Sequence, residues 1–166
     1  MRACRRGRTI GDVDEYPEVD ELTYEECLEL LRADSVGRIA VVVEPYPLVF
    51  PVNFRVVGFD DAPAAPGRLW IAIRTRPGNT IDRAPMFVSF EVDGIDRHHH
   101  AGWSVLVTGT MHRVDAAAAE FDERFDPEPW ITEGRDRWLV IHASTVTGRR
   151  VRDRDTGWAF SAHAYL

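Results

Sequence analysis

Short runs in which apolar and polar residues alternate dominate the chain and predict β-strands. Two of them, residues 37–44 and 48–57, flank a proline-containing turn. Further runs of this kind cover residues 68–74, 86–93, 102–114, 138–143 and 146–151. Six or so short strands with turn signals between them predict a mainly β fold, an antiparallel barrel that is closed or nearly closed.

The strand predicted at residues 48–57 has two distinct faces. Alternation places Phe50, Val52, Phe54 and Val56 on one face, and Val49, Pro51, Asn53 and Arg55 on the other. Proline has no N–H to give to a neighbouring strand, so this strand is expected to have a free edge or a bulge at Pro51.

One helix is predicted with a defined start at Thr23. Thr23 and Glu26 match a capping box, in which each side chain accepts a hydrogen bond from the other residue's backbone N–H. The apolar stripe that follows consists of Tyr24, Cys27, Leu28 and Leu31. A second helix is predicted from Asp115 to about residue 125, because Asp115 is a favourable N-cap.

Length and patterning predict one domain between two less regular ends. The chain has 166 residues, for which a single domain is the default. Residues 1–21 are charged and poorly patterned, which predicts a loose N-terminal arm. Residues 22–151 form the predicted barrel domain, and residues 152–166 form a polar C-terminal tail.

The junction that follows the strand at residues 68–74 carries the clearest binding signal. Its polar residues are Arg74, Thr75, Arg76, Asn79 and Thr80, grouped around a Pro-Gly turn. A short helical turn is predicted at residues 81–84, which would add free backbone N–H groups and the positive end of a helix dipole. Phosphate oxygens accept hydrogen bonds from all of these donors. The alternative interpretation is a polar loop with a solvated arginine pair.

Composition narrows the class of partner. The net charge of -7 argues against nucleic acid and makes the arginine pair a local positive site on an acidic chain. No apolar run is long enough to span a membrane. The chain has only two cysteines, Cys4 and Cys27, so we expect no disulfide framework and a reducing, cytoplasmic location.

Signatures of catalysis by side chains are missing from the sequence. There is no G-x-S-x-G elbow, P-loop or G-x-G-x-x-G fingerprint, so acyl transfer, P-loop hydrolysis and Rossmann cofactor binding lack support. The consecutive histidines at residues 98–100 suggest a metal site. Neighbours in an extended segment cannot all face one ion, however, and no further ligand has metal-binding spacing. We therefore expect a solvated loop there, no metal, and no catalytic residue that the sequence identifies.

Five segments, in this order, resemble the pyridoxamine 5'-phosphate oxidase-like family of flavin-binding split barrels. They are LTYEECLELLRADSVGRIAVV, PLVFPVNF, LWIAIRTRPGNTID, FVSFEVD leading into GWSVLVTGTMHRV, and RWLVIHASTVTGRRV. The resemblance covers about residues 20–151. It is closer to the small actinobacterial-type branch, which includes nitroimidazole-resistance-like proteins, than to the true oxidases. It implies a split barrel and a homodimer that holds a riboflavin phosphate, FMN, at the dimer interface.

Carried over by position, the resemblance implies three groups of cofactor-binding residues. The first would line the isoalloxazine ring, the second would hold the ribityl chain and phosphate, and the third would approach from a later strand. The first group is Phe50, Pro51, Val52 and Asn53, the second is Ile73, Arg74, Thr75, Arg76, Asn79 and Thr80, and the third is Trp103 and Ser104. Arg149 and Arg150 are a looser match near the flavin.

Two departures from the family pattern bear on cofactor and substrate. Thr80 stands where many relatives carry a lysine. Either Arg74 and Arg76 supply the missing charge, or flavin binding is weak, or the cofactor differs, for example a deazaflavin. Residues 150–154 lack the histidine of the Arg-x-His-x-Arg substrate motif, so pyridoxamine phosphate is not the expected substrate.

Three functions are compatible with the sequence. The leading hypothesis is a homodimeric FMN-dependent oxidoreductase acting on an unidentified small molecule, with the cofactor supplying the redox chemistry. The second is the same barrel carrying a flavin, deazaflavin or haem without turnover. The third is a barrel without cofactor whose function is its dimer.

Overall fold

The computed structural model describes residues 19–58, 69–114 and 125–152. Within these residues the elements are β1 (Val19–Glu21), α1 (Tyr24–Ala33), β2 (Val36–Val43), β3 (Tyr46–Gly58), β4 (Leu69–Thr75), β5 (Met86–Asp96), β6 (Ala101–Val114) and β7 (Arg137–Val151). The predicted loop at residues 59–67, the predicted helix after Asp115, and most of the predicted arm and tail lie outside the described residues.

The strands form one antiparallel sheet that closes on itself. Its order is β1-β7-β4-β3-β2-β5-β6. An additional pairing between β6 and β7 closes the six strands from β2 through β7 into a ring. The predicted fold class, mainly β with a six-stranded antiparallel barrel, is therefore confirmed. Within the described residues no helix has the length and apolar content that crossing a membrane requires.

The barrel interior is filled by alternate residues of every strand of the ring. Phe54 of β3 and Phe90 of β5 meet edge to face at its centre, with ring centroids 4.9 Å apart. The predicted division of β3 into two faces is confirmed at residues 51–55, since Val52 and Phe54 are buried while Pro51 and Arg55 are exposed. It is wrong further along, where Val57 is buried and Val56 is only half-buried.

Helix α1 starts as the sequence predicts. Oγ1 of Thr23 accepts a hydrogen bond from the Glu26 N–H at 3.2 Å, and Oε2 of Glu26 accepts one from the Thr23 N–H at 2.8 Å. The buried face differs from the predicted stripe, because Leu30 is buried together with Cys27 and Leu31 while Tyr24 and Leu28 are only half-buried. The helix packs against β7, and Gly148 permits this approach: a Cβ there would lie 2.5 Å from Sγ of Cys27.

The ring opens where β3 and β4 diverge. β3 pairs with β2 from Tyr46 to Asn53, and its pairing with β4 begins only at Phe54, opposite Ile73. Pro51 therefore lies where the other edge of β3 has no partner strand among the described residues, as its missing N–H predicts. Asn53 and Arg74 are the first residues beyond the last β3–β4 pair, so the mouth of this opening lies between them.

The ring closes through β6 and β7, where β7 carries one extra residue. Thr108 pairs with Thr145 and Gly109 with Ala143, so Ser144 bulges out of the ladder. The bulge brings the two backbones very close: a Cβ on Gly109 would lie 2.1 Å from the carbonyl oxygen of His142. Glycine is the residue that fits this position.

Two strands differ from their predicted extents. Val19–Glu21, the end of the predicted arm, form β1 and pair with residues 149–151 of β7. The two runs predicted at residues 138–143 and 146–151 are one continuous strand, β7, because the bulge interrupts the alternation without ending the pairing.

Candidate functional site

The candidate phosphate residues begin on β4, whose alternation is regular up to Thr75. Leu69, Ile71, Ile73 and Thr75 are buried inside the barrel, and Arg74 projects from the outer face. The packing of the inner residues fixes the direction of Arg74. Thr75 is fully buried, and its Oγ1 accepts a hydrogen bond from Nδ2 of Asn79 at 3.1 Å.

Arg74 is held by residues that follow β6 in the chain. Its Nη1 donates to Oδ2 of Asp126 at 2.8 Å, and its Nε donates to the carbonyl oxygen of Arg135 at 2.8 Å. The guanidinium carbon lies 5.4 Å from the centre of the Trp138 ring, within the range of a cation–π contact. Within the described chain its Nη2 makes no hydrogen bond, and the side chain is 20% exposed.

The segment that follows β4 is a turn, and the predicted helical turn at residues 81–84 is wrong. The Asn79 N–H donates to the carbonyl of Arg76 at 3.2 Å, and the Asp82 N–H donates to the carbonyl of Asn79 at 2.9 Å. Neither bond is followed by further helical bonds. The helix-dipole contribution expected here is therefore absent, and the positive charge of the junction comes from side chains.

Asp82 anchors the turn. It is buried, and its carboxylate accepts hydrogen bonds from the Gly78 N–H at 2.9 Å and from Nε of Arg113 at 2.8 Å. Nη2 of Arg113 also donates to the Asp82 backbone carbonyl at 2.6 Å. Burial acts to raise the pKa of Asp82, but the bonds from Gly78 and Arg113 outweigh it and hold the pKa below its usual value. Asp82 is thus an ionised anchor for the turn.

Three arginines that the sequence analysis missed join this junction. Arg113 is the next-to-last residue of β6, and Arg137 begins β7 with its Nε 3.4 Å from Oδ1 of Asp82. Nη1 of Arg135 donates to the Arg74 carbonyl at 3.4 Å. Arg74 and Arg76 complete an arginine cluster that, among the described residues, pairs with only two carboxylates, Asp82 and Asp126. No sequence signal identifies these three, because their proximity depends on the pairing of β4 with β7 and of β6 with β7.

Residues 125–136, which we call the strap, cover the mouth between β3 and β4. The Trp130 N–H donates to Oδ1 of Asn53 at 3.1 Å. Nη2 of Arg55 pairs with Oε1 of Glu128 at 3.1 Å. The indole of Trp130 itself is 80% exposed, so a large apolar ring stands in solvent next to the candidate site. The structure thus brings Phe50–Asn53 and the residues from Ile73 to Thr80 to one opening.

Trp103 and Ser104 lie elsewhere on the same chain. They belong to β6, which is separated from β3 by β5 and β2. Trp103 is buried against Gly94, and Ser104 lines an open groove of about 750 Å³ that also includes Arg149. The groove contains none of the candidate residues of β3 and β4. The predicted binding residues therefore form two separate groups within one chain.

The groove has an acidic wall. Nη1 of Arg38 on β2 bonds both Oε2 of Glu91, at 3.0 Å, and Oδ1 of Asp93. Burial raises the pKa of Glu91, and the neighbouring Asp93 raises it further, against the effect of Arg38. Arg38 thus bridges two carboxylates across the β2–β5 pair.

The histidine run forms the tight turn between β5 and β6. His98 to His100 are exposed, and Nδ1 of His99 lies 2.6 Å from Oδ2 of Asp96. The N–H groups of His98 and His99 both donate to Oδ1 of Asp96. The described residues hold no group of three or more His, Cys, Asp or Glu side chains suited to a metal ion.

Replacing His99 by Ser is expected to raise the pKa of Asp96 from about 2 towards its usual value. The side-chain bond to His99 is the largest cause of the lowered pKa, and the two backbone N–H groups remain. A carboxyl group whose pKa is lowered by folding stabilises the fold fully at pH values above its pKa in the unfolded chain, which is near 4. This contribution disappears as pH falls through the folded pKa of about 2. The thermal midpoints of wild type and variant should therefore converge on acidification.

Carboxyl NMR titration measures this pKa directly, and thermal unfolding at several pH values measures the linkage. An unchanged Asp96 pKa in the variant would show that the backbone donors alone lower it.

The sequence comparison decides the family. Residues 23–150 match the pyridoxamine 5'-phosphate oxidase family, a span that includes α1, β2 to β6 and all but the last residue of β7. The chain belongs to the pyridoxamine 5'-phosphate oxidase family. The membership predicted from five sequence segments is confirmed, and both separate groups of candidate residues fall within the matched span.

Individual relatives of this pyridoxamine 5'-phosphate oxidase family member match most of its length. The uncharacterized protein Rv0080 of Mycobacterium tuberculosis is 30% identical over 134 residues, 81% of this chain and 86% of that protein. The solved structure of an FAD binding protein from Mycobacterium smegmatis is 29% identical, with a TM-score of 0.59, over 81% of this chain and 100% of that chain. A conserved protein of unknown function from Corynebacterium diphtheriae is 27% identical, with a TM-score of 0.63, over 80% of this chain and 98% of that chain.

Proposed function

We propose that this protein binds FMN between two copies of the chain and is an oxidoreductase that acts on a small molecule. The arginine cluster at the β3–β4 opening carries the proposal, because it concentrates positive charge on a chain whose net charge is -7. A phosphate dianion needs charge-assisted donors of this kind. The similar protein from Mycobacterium smegmatis is an FAD binding protein, which supports a flavin as the ligand.

The residues at the opening fit a phosphorylated flavin. Arg74 and Arg76 would bind the phosphate together with Asn79 and Thr80, and Phe50–Asn53 and Ile73–Thr75 would contact the rest of the cofactor. Thr80 offers a hydroxyl in place of the lysine charge that many relatives have, and Arg113, Arg135 and Arg137 restore positive charge nearby. A bound flavin supplies hydride or electron-pair transfer, and the residues of this chain bind and orient it.

A homodimer is part of the same proposal. The predicted third group, Trp103 and Ser104, is remote from the first two within one chain, so a second copy is needed to bring both to one cofactor. The outer face of the barrel exposes large apolar side chains suited to an interface. Phe87 is 85% exposed and Val42 64%, and both line an apolar groove of about 500 Å³.

Visible absorption of the purified protein tests the cofactor. We expect a flavin spectrum, and release of the ligand followed by chromatography identifies it as FMN, FAD or a deazaflavin. Reduction by a nicotinamide donor and reoxidation by an added acceptor separate an oxidoreductase from a carrier of flavin, deazaflavin or haem. A colourless protein that binds no added flavin contradicts the proposal.

Sedimentation at micromolar concentration tests the dimer. An obligate homodimer interface buries roughly 2,000 Å² or more. We therefore expect a species of twice the 18.8 kDa chain mass. A single 18.8 kDa species would contradict it. We also propose a cytoplasmic location, supported by the low cysteine content and the free, buried thiol of Cys27.

A further inference from the structure

The strap occupies two of the groups that the proposed flavin site requires. Oδ2 of Asp126 accepts from Nη1 of Arg74 at 2.8 Å, with the two side chains 27% and 20% exposed. The backbone N–H of Trp130 donates a hydrogen bond to Oδ1 of Asn53 at 3.1 Å. Arg74 lies on the β4 side of the β3–β4 mouth and Asn53 on the β3 side, so the strap is bonded to both sides of the entrance.

The carboxylate of Asp126 is positioned before any ligand arrives. Its Oδ1 accepts a hydrogen bond from the Glu128 N–H at 2.9 Å, while Oδ2 faces Arg74. The strap is also fixed behind Asp126, because the Arg135 carbonyl accepts from Nε of Arg74. A carboxylate held in the same chain acts at a high effective concentration, so an external anion competes with it at a disadvantage.

Carboxylate and phosphate oxygens use the same donors of a guanidinium. Each prefers a bidentate approach to two N–H groups. Nε and Nη1 of Arg74 each donate to the strap, so a phosphate that contacts two of its nitrogens has to use at least one that is already bonded. The negative charge of Asp126 also repels a phosphate dianion that approaches Arg74.

We propose that Asp126 is a specificity-determining residue of this site, a resident carboxylate that a phosphate must displace from Arg74. The inference rests on the proposed function in so far as the phosphate is that of FMN. Asp126 lowers the affinity for any phosphorylated ligand and leaves the affinity for an unphosphorylated flavin unchanged. Displacement also frees the strap at Asp126, so phosphate binding and strap opening occur together.

Titration of FMN, riboflavin and inorganic phosphate into matched variants tests the proposal. Asp126→Asn removes the charge and keeps the size, and Asp126→Glu keeps the charge. Glu128→Gln is the control, because Glu128 lies on the same strap and pairs with Arg55 on β3, away from Arg74. Flavin fluorescence measures FMN and riboflavin, and calorimetry measures inorganic phosphate.

We expect Asp126→Asn to bind FMN and inorganic phosphate about tenfold more tightly than wild type, equivalent to 1.4 kcal/mol. Riboflavin affinity should stay constant in every variant, and Asp126→Glu and Glu128→Gln should match wild type for all ligands. Hydrogen exchange of strap amides in wild type should accelerate when phosphate or FMN binds. Asp126→Ser replaces Asp126→Asn if thermal unfolding shows that the latter is not folded.

The outcomes separate this inference from the proposed function. Weaker or unchanged FMN and phosphate binding in Asp126→Asn overturns the inference, because Asp126 would then orient Arg74 or play no part. If no variant binds FMN or riboflavin but Asp126→Asn binds inorganic phosphate more tightly, the proposed function fails and the role of Asp126 stands.

Discussion

Gly109→Ala is expected to lower the free energy of unfolding by about 3 kcal/mol, near the upper end of the cost of overpacking a core. The added Cβ would lie 2.1 Å from the His142 carbonyl oxygen, and 2.9 Å from its carbon. Both atoms belong to backbone, so no side chain can move aside. The only relief is to separate β6 from β7 at the bulge, which opens the ring.

Urea unfolding measures this change, and the thermal midpoint should fall by about 6–12 °C for a chain of this size. Thr110→Ala is the matched control, since Thr110 is the next residue on β6, is half-buried and faces outward. Its cost should stay within about 1 kcal/mol. Equal midpoints for Gly109→Ala and wild type would mean that β6 and β7 do not approach as closely as described.

Arg74→Ala is expected to weaken FMN binding by about tenfold to a hundredfold, or 1.4–2.8 kcal/mol. A hydrogen bond to a charged group contributes about 1.5–3 kcal/mol, and Arg74 is the arginine whose direction is fixed by the packing of β4. Riboflavin has no phosphate, so its affinity should hardly change. Flavin fluorescence titration with both ligands measures the difference.

Arg55→Ala provides the control for Arg74→Ala. Arg55 also projects outward and pairs with the strap, through Glu128, but it lies on β3 away from the arginine cluster. We expect it to leave the affinity for both ligands unchanged. If Arg74→Ala weakens the binding of riboflavin as much as that of FMN, Arg74 supports the local fold through Asp126 and Arg135. The assignment of Arg74 to the phosphate site would then be wrong.

Local patterns predicted the parts of the fold that local physics determines. Alternation in β3 identified its inner residues, and Thr23 and Glu26 identified the start of α1, because both signals involve neighbours in sequence. The outward direction of Arg74 followed from the same alternation in β4. The capping box joins residues three positions apart, and the direction of a strand side chain follows from its position in the alternation along that one strand.

The candidate site depends on contacts between residues far apart in the chain. Asp126 and Arg135 reach Arg74 across 52 and 61 positions, and no spacing rule connects them. The turn that replaces the predicted helical turn also depends on a distant residue, because Arg113, 31 positions away, binds the Asp82 carboxylate. The separation of Trp103 from β3 follows from strand order, which alternation does not determine.

The pairing of β7 with β1, β4 and β6 has a consequence for how the chain folds. β7 is the last described strand, and it joins residues 19–21 near one end to residues 137–151 near the other. The β1–β7 contact closes a loop of more than a hundred residues, and the β4–β7 and β6–β7 contacts close shorter ones. Each closure costs entropy before any stabilisation is gained. During synthesis the chain emerges from the N-terminal end. Strands β2 to β6 can pair with one another first, but they form an open sheet, and β1 lacks its described partner, until β7 has left the ribosome. A chain truncated before residue 137 should therefore be captured by chaperones or aggregate.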